Sequence, residues 1–158
     1  MRKGDVAQVT VKLNEYLRQF EFRQCFDEHE VRHWFLPQEE IIYSYVVEDV
    51  ETKEIKEFIS FYNLPSSIIG HPVYKELKAA YGYYYFVSKK ENMTPLLKDA
   101  LILAKQAGFD VFNCLHTMHY GDAFDSLKFG KGDGTLQFYA FNWKMPQLNP
   151  DQLGLILF

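Results

Sequence analysis

An acidic side chain stands between glycines near the end of the chain, where Gly130, Gly132 and Gly134 surround Asp133. Glycine tolerates positive φ, so this spacing is typical of a tight reversal that carries the Asp133 carboxylate at its tip. An acidic centre repels phosphate, and no Lys-Ser/Thr pair follows, so the spacing does not indicate a phosphate loop. On spacing alone two interpretations stay open. Asp133 either bonds only its own turn or presents a carboxylate for binding.

The last six residues, LGLILF, carry no charged side chain and stop at Phe158. Most chain ends fray in water, but we expect this apolar tail to dock into the core and to carry the α-carboxylate inward. A free α-carboxyl group has a pKa near ~3.3–3.7. Desolvation would raise that pKa and make the group a better general base. The alternative is an edge strand whose terminal carboxylate simply reaches solvent.

Composition limits the function classes. The chain has 158 residues, of which 47% are hydrophobic and 17% aromatic, which excludes disorder and predicts one domain with an aromatic-rich interior. A net charge of −4 is unsuited to nucleic acid or an anionic membrane and favours a basic ligand. Cys25 and Cys114 form no CxxC pair, so we expect free thiols in a reducing, cytoplasmic compartment. We expect no signal peptide and no transmembrane segment.

Hydrophobic spacing predicts the elements that must position these groups. Helices are expected over residues 5–20, 27–34, 72–80 and 94–107, with a helical turn near 123–127. Strands are expected over residues 41–48, 55–63, 81–88, 110–115, 136–143 and 153–158. The first two strands flank a polar stretch and predict a hairpin, and the run 136–143 predicts a buried aromatic strand. Strands interleaved with helices indicate an α+β fold.

Several segments resemble one known family. KFGKGDG, followed by LQFYAFNWK and a terminal GLILF, resembles the C-terminal signature of eukaryotic glycylpeptide N-tetradecanoyltransferases, also called N-myristoyltransferases. HWFLPQE, FISFYNLPSS, LKAAYGYY and GFDVFN are similar to further segments of that family and occur in the same order. The resemblance covers nearly the whole chain but only the second half of a family member.

The resemblance implies a GNAT-like (acyl-CoA N-acyltransferase) half-domain with a mixed, mostly antiparallel sheet flanked by helices. Residues 1–158 would form the peptide-binding half of an enzyme that moves a tetradecanoyl group from myristoyl-CoA to an N-terminal glycine. The main myristoyl-CoA site would lie in the absent N-terminal half, so we expect this half to bind no cofactor itself and to lack turnover alone. Without its partner half, the chain is expected to form a homodimer.

The resemblance also implies a role for individual residues. The α-carboxylate of Phe158 would be the general base that takes a proton from the glycine ammonium of the substrate. Asp133, with Gly134, would contact a basic side chain further along the peptide. Other positions would line the peptide groove, namely Ser66, Leu77, Tyr81, Asn113, Leu115 and Leu157. Each also has a structural interpretation: the leucines as core, Ser66 as a cap, and Asn113 as a backbone partner at a strand end.

Other functions stay open or are set aside. A complete small GNAT-type acetyltransferase would need a Q/RxxGxG/A loop before a helix N-terminus, and the sequence has none. A non-enzymatic peptide-binding module is the third possibility. His116, His119 and Asp122 could share a helix face, but a metal needs another ligand and supporting hydrogen bonds, so we predict no metal.

Overall fold

A computed structural model of the chain describes residues 1–157. The α-helices are α1 (Val6–Leu17), α2 (Glu28–Phe35), α3 (Met93–Gln106) and α4 (Gly121–Phe124). Three short 3₁₀ turns lie at Lys3–Asp5, Lys90–Asn92 and Pro150–Gln152. The strands are β1 (Phe22–Arg23), β2 (Ile42–Glu48), β3 (Ile55–Asn63), β4 (Ser66–Ser67), β5 (Glu76–Leu77), β6 (Ala79–Phe86), β7 (Val111–Asn113) and β8 (Leu153–Gly154).

A four-stranded sheet in the order β2-β3-β6-β7 forms the centre of the fold. β2 and β3 form the predicted hairpin, β6 pairs antiparallel with β3, and β7 runs parallel to β6. Two small pairs accompany this sheet: β4 with β5, antiparallel, and β1 with β8, parallel. The prediction of a mixed, mostly antiparallel sheet is confirmed for residues 1–157.

The sheet is covered on both faces. Consecutive residues 58–61 of β3 are all buried, and side chains alternate between faces along a strand, so neither face can be open to water there. Helix α1 packs against α2 and β6, while α3 packs against β3 and α4. Aromatic rings dominate the contacts, as in the edge-to-face packing of Phe35 on Phe58 and of Phe109 on Phe61.

Local signals determine the helix ends. The backbone N–H of Glu30 donates to Asp27 at 2.7 Å, and the N–H of Asp27 donates to Glu30 at 2.8 Å, which is the predicted capping box of α2. Gly108 follows α3 with φ of 85°, a left-handed conformation that favours glycine at the position after a helix end. Helix α3 begins at Met93, one residue before the predicted cap.

The helix predicted over residues 72–80 is wrong. Glu76–Leu77 and Ala79–Phe86 are strands instead. Ala79 and Ala80 are good helix formers, but both are buried in the sheet, where they pair with Val111 and Phe112 of β7. Pairing and burial therefore override a local preference worth only tenths of a kcal/mol per residue.

The buried strand predicted over residues 136–143 is also wrong. The segment forms no strand, and Leu136, Tyr139, Phe141 and Trp143 are 56% to 93% exposed. The apolar composition of residues 136–143 indicates burial, but it does not show which other segment would cover them. The preceding glycines do not take left-handed conformations, since the positive φ values here belong to Lys128 and Asn142. The chain bends at Asp133, but the glycine-specific reversal that was predicted is not formed.

The strands predicted over 110–115 and 153–158 are shorter than expected. β7 covers only Val111–Asn113 and lies at an edge of the sheet, so it is largely exposed rather than buried. β8 covers only Leu153–Gly154. Phe158 lies outside the described residues.

The predicted docking of the C-terminal tail into the core is confirmed up to Ile156, whereas Leu157 is 54% exposed. β8 pairs with β1, and the Thr117 hydroxyl donates to the carbonyl oxygen of Leu153 at 3.0 Å. Gly154 packs directly on Phe20, and Ile156 is buried. Over residues 1–157 no helix has both the length and the apolar content needed to cross a membrane.

Replacement of Gly154 by alanine should displace the tail. A Cβ atom built there lies 2.7 Å from Cδ2 and 2.9 Å from Cβ of Phe20, and Phe20 is itself buried. Overpacking of this kind costs about 1–3 kcal/mol, and we expect the free energy of unfolding in urea to fall by that amount. Gly130→Ala is the control, because nothing lies within 4 Å of its Cβ position. Equal stability of Gly154→Ala and the original chain would contradict the close packing.

Candidate functional site

Two cross-strand pairs bring four of the predicted groove residues into register. Ser66 of β4 pairs with Leu77 of β5, and Tyr81 of β6 pairs with Asn113 of β7. Ser66 and Asn113 are exposed, while Leu77 and Tyr81 are half-buried. Exposed polar side chains thus lie beside half-buried apolar or aromatic ones in both pairs.

Hydrogen bonds connect the segments that carry these two pairs. The N–H of Lys78, between β5 and β6, donates to the Asp110 carboxylate at 2.9 Å, and the N–H of Asp110 donates to the Lys78 carbonyl at 2.9 Å. The N–H of Leu64 donates to the Ala79 carbonyl at 2.9 Å. The β4–β5 hairpin is therefore tied to the rigid sheet through β6 and β7.

The Tyr81 ring stacks on Tyr62 of the neighbouring strand, with centroids 5.5 Å apart and planes inclined by 17°. Burial, and then the adjacent Tyr81, raises the pKa of Tyr62 above its ordinary value. The Tyr62 phenol is therefore neutral at physiological pH. This side of the site offers aromatic area and phenol hydroxyl groups rather than charge.

Leu115 and Leu157 differ in their surroundings. Leu115 is partly buried and packs against the hydrophobic core, which agrees with its structural interpretation. Leu157 is 54% exposed and directly follows the buried Ile156. The tail thus changes from core packing to solvent exposure one residue before the chain end.

Asp133 and Gly134 are exposed in the segment that follows α4. Within residues 1–157 the Asp133 carboxylate forms no hydrogen bond or ion pair, so it does not satisfy a turn of its own backbone. The structure thus does not join Asp133 to the four paired residues, and the catalytic group predicted at Phe158 lies outside the described residues.

Sequence reasoning missed Tyr84 and Thr117, whose side chains contact the C-terminal tail. Both bond the backbone of the C-terminal tail, Tyr84 at Ile156 and Thr117 at Leu153. A signal was present for Tyr84, because a tyrosine in a continuous buried run must find a partner for its hydroxyl. Which segment supplies that partner is not encoded locally.

Other titratable groups near the site are not arranged for catalysis. Burial raises the pKa of the Cys114 thiol well above its ordinary value, so Cys114 is not a thiolate nucleophile. Asp122 forms an ion pair with Lys90 at 3.1 Å and lies 3.7 Å from His119. In the described part of the chain no group of three or more His, Cys, Asp or Glu side chains could hold a metal ion.

The fold is that of the N-acyltransferases. A ribosomal-protein-alanine N-acetyltransferase from Brucella melitensis biovar Abortus matches with a TM-score of 0.60, over 89% of this chain and 96% of that chain. The two are 17% identical, so the likeness concerns the fold alone. It confirms the predicted α+β, GNAT-like architecture.

The family follows from a closer set of matches. The family model of the C-terminal domain of myristoyl-CoA:protein N-myristoyltransferase matches residues 1–155, and the chain belongs to this family. The Saccharomyces cerevisiae N-myristoyltransferase, solved with bound myristoyl-CoA, is 36% identical with a TM-score of 0.80, over 85% of this chain and 37% of that chain. The resemblance stated from the sequence motifs is confirmed.

Curated relatives agree with this assignment. Glycylpeptide N-tetradecanoyltransferase 2 of Danio rerio is 50% identical over 99% of this chain and 32% of that protein. Glycylpeptide N-tetradecanoyltransferase 1 of Arabidopsis thaliana is 48% identical over 99% of this chain and 36% of that protein. The chain therefore spans about a third of the length of the relatives it matches.

Removal of the Asp110 side chain should loosen the candidate site. Asp110→Ala deletes the bond from the Lys78 N–H, and loss of one exposed hydrogen bond costs about 0.5–1 kcal/mol. We expect that loss in urea unfolding, together with faster hydrogen exchange at Lys78. Asp125→Ala is the matched control, because Asp125 is also exposed and its side chain makes no hydrogen bond within residues 1–157. Equal exchange in the two variants would argue against the tie.

Proposed function

We propose that this chain is the C-terminal, peptide-binding domain of an enzyme that transfers a tetradecanoyl group from myristoyl-CoA to the N-terminal glycine of proteins. The match of the family model to residues 1–155 carries this proposal. The names of the curated relatives support the same reaction. In this proposal residues 1–158 act as a single domain, and an N-terminal half of the same enzyme holds the main myristoyl-CoA site.

The α-carboxylate of Phe158 is the general base of the proposed reaction. It takes a proton from the glycine ammonium, and the free amine attacks the thioester carbonyl of myristoyl-CoA. A carbon–nitrogen bond forms and the carbon–sulfur bond breaks. The nitrogen gives up a second proton to the departing thiolate, so CoA leaves as its thiol. The docking of the tail supports this role, because a tail fixed at Ile156 can deliver its end group to a defined place.

The substrate peptide lies on the surface that includes the two cross-strand pairs. Tyr81 and Leu77 supply apolar area and Ser66 and Asn113 supply polar contacts, with Leu115 and Leu157 as further lining. Asp133 and Gly134 contact a basic side chain downstream of the glycine. An exposed carboxylate without a partner inside the described chain supports that assignment, because the peptide can then provide the cation.

The N-terminal half covers the exposed segment 136–143. Four large apolar side chains in this segment are more than half exposed. Single exposed apolar residues are normal at a protein surface, but several in one short segment indicate an interaction site. Because the proposed myristoyl-CoA site lies in that half, this chain by itself turns over no substrate. The free thiols of Cys25 and Cys114 support a reducing, cytoplasmic location.

Two other functions make different predictions. A small acetyltransferase is favoured by the fold it shares with N-acetyltransferases, but at 17% identity that likeness carries no activity. A non-enzymatic peptide-binding module would keep the surface around Tyr81 and lack a working terminal carboxylate. Both are outcomes of the experiment that follows.

The test uses a labelled peptide with an N-terminal glycine and a downstream lysine. We expect this chain to bind the peptide without acyl transfer, and the whole protein that contains it to transfer the tetradecanoyl group from myristoyl-CoA. Residues appended after Phe158 should lower the rate about 10²–10⁴-fold, the usual contribution of a general base, and leave peptide binding in place. A peptide with norleucine for lysine should bind more weakly, since it offers no charge to Asp133.

Several results would contradict the proposal. Transfer from acetyl-CoA by this chain alone would support the small acetyltransferase. Binding without any transfer by the whole protein would support the non-enzymatic module. Full activity after residues are appended to Phe158 would exclude its carboxylate as the general base. Equal binding of the lysine and norleucine peptides would exclude a contact between Asp133 and the lysine.

The isolated chain should self-associate through its exposed apolar side chains. Burial of apolar surface contributes about 25 cal/mol per Å², so a segment left open by the absent half favours pairing with a second copy. We expect the mass from light scattering to rise with concentration towards that of a dimer. The variant Phe141→Ser with Trp143→Ser should reduce the association, because both side chains are more than 70% exposed. A monomer at high concentration would contradict this expectation.

A further inference from the structure

One side-chain hydroxyl binds both peptide groups of a residue near the chain end. The backbone N–H of Ile156 donates to the Tyr84 hydroxyl oxygen at 3.0 Å, and that hydroxyl donates to the Ile156 carbonyl at 3.3 Å. A phenol can donate one hydrogen bond and accept others, so both interactions form together. The pattern imitates a hydrogen-bonded residue pair of an antiparallel sheet, in which one residue supplies both bonds. Tyr84 thus supplies the two hydrogen bonds that a neighbouring strand would otherwise make with Ile156.

Tyr84 is held firmly enough to act as a fixed point. Its side chain is fully buried in β6, where it packs edge-to-face on Phe26 and Phe35 with centroids 5.0 and 5.9 Å away. The Ser60 hydroxyl donates to the Tyr84 carbonyl at 2.7 Å, which fixes the backbone as well. Burial raises the pKa of Tyr84 to about 12, so the hydroxyl keeps its proton and remains a donor at physiological pH.

The other contacts of the tail lie earlier in the chain. β8 pairs with β1 at Leu153 and Gly154, and Thr117 bonds the Leu153 carbonyl. Ile156 is 3% exposed, whereas Leu157 is 54% exposed. Within residues 1–157, no hydrogen bond holds the tail beyond Ile156. The Tyr84 hydroxyl is thus the final polar contact of the described tail before its end.

We propose that Tyr84 is a positioning residue for the terminal carboxylate, which it places by holding the backbone of Ile156. The inference rests on the proposed function of that carboxylate as the general base. Two further residues span at most about 7 Å, so fixing Ile156 limits how far from it the end group can lie. A base must lie within hydrogen-bond reach of the proton it takes, and a displacement of about 1 Å can cost about 10²-fold in rate.

Tyr84→Phe removes the hydroxyl and keeps the aromatic ring in the core. Both the N–H and the carbonyl of Ile156 then lack a partner in buried surroundings, which favours movement of the tail into water. Tyr120→Phe is the matched control. Tyr120 is equally buried, and its hydroxyl donates to the Tyr83 carbonyl at 2.7 Å rather than to the tail.

The experiment uses the whole protein that contains this chain, with a glycine peptide and myristoyl-CoA. For Tyr84→Phe we expect kcat to fall about 10- to 100-fold, with the KM for myristoyl-CoA unchanged. Hydrogen exchange at the Ile156 amide should become faster in the same variant. Tyr120→Phe should leave both kcat and the exchange of that amide close to the original values. The kcat of each variant is calculated per mole of folded enzyme, so that a loss of folding alone does not lower it.

The outcomes distinguish this inference from the proposed function. Unchanged exchange at Ile156 in Tyr84→Phe would overturn the contact, and faster exchange with unchanged kcat would overturn its role in positioning. An equal fall in kcat for Tyr84→Phe and Tyr120→Phe would assign Tyr84 to the core alone. Full activity with residues appended after Phe158 would overturn the general base itself, and the positioning role with it, even where the exchange result stands.

Discussion

A hydroxyl buried in an apolar core is stabilised by a hydrogen bond, and two tyrosines of strand β6 bond theirs to backbone groups of distant segments. The Tyr84 hydroxyl bonds the tail at Ile156, and the Tyr85 hydroxyl accepts from the His119 N–H at 2.8 Å. The Tyr120 hydroxyl, near the start of α4, donates back to the Tyr83 carbonyl in β6. The tail and the turn before α4 are far apart in sequence, and the phenols of one strand contact both of them.

The same strand connects this core to the candidate site. β6 pairs with β3 on one side and β7 on the other, and Tyr81 lies on it three residues before Tyr84. A peptide bound over Tyr81 and a terminal group delivered beside Tyr84 would therefore share one rigid support. Rigid support of this kind suits catalysis, because misplacement of a base by a fraction of a bond length already lowers the rate. Asp133 instead lies on an exposed segment, which suits a contact that selects a charge.

Local chemistry explains which predictions succeeded. The hairpin of β2 and β3 follows from two β-branched, aromatic runs around a polar turn, and the ends of α2 and α3 follow from a capping box and from Gly108. The alternation of strand and helix patterns predicted the α+β class, and the family motifs predicted the GNAT-like architecture because they extend along nearly the whole chain. The failures share a different cause. Residues 72–80 and 136–143 have clear local preferences, but their structure depends on pairing or covering partners that are not neighbours in sequence.

The sequence by itself determined the family, the fold class, the hairpin and the apolar character of the tail, because these depend on residue types and short spacings. It also identified Ser66, Leu77, Tyr81 and Asn113 as candidates through their motifs. Only the tertiary structure decided that these four form two cross-strand pairs, and that Tyr84 binds the backbone of Ile156. The physical reason is that a hydrogen bond between residues 72 positions apart depends on how the chain folds back on itself, which no local pattern encodes.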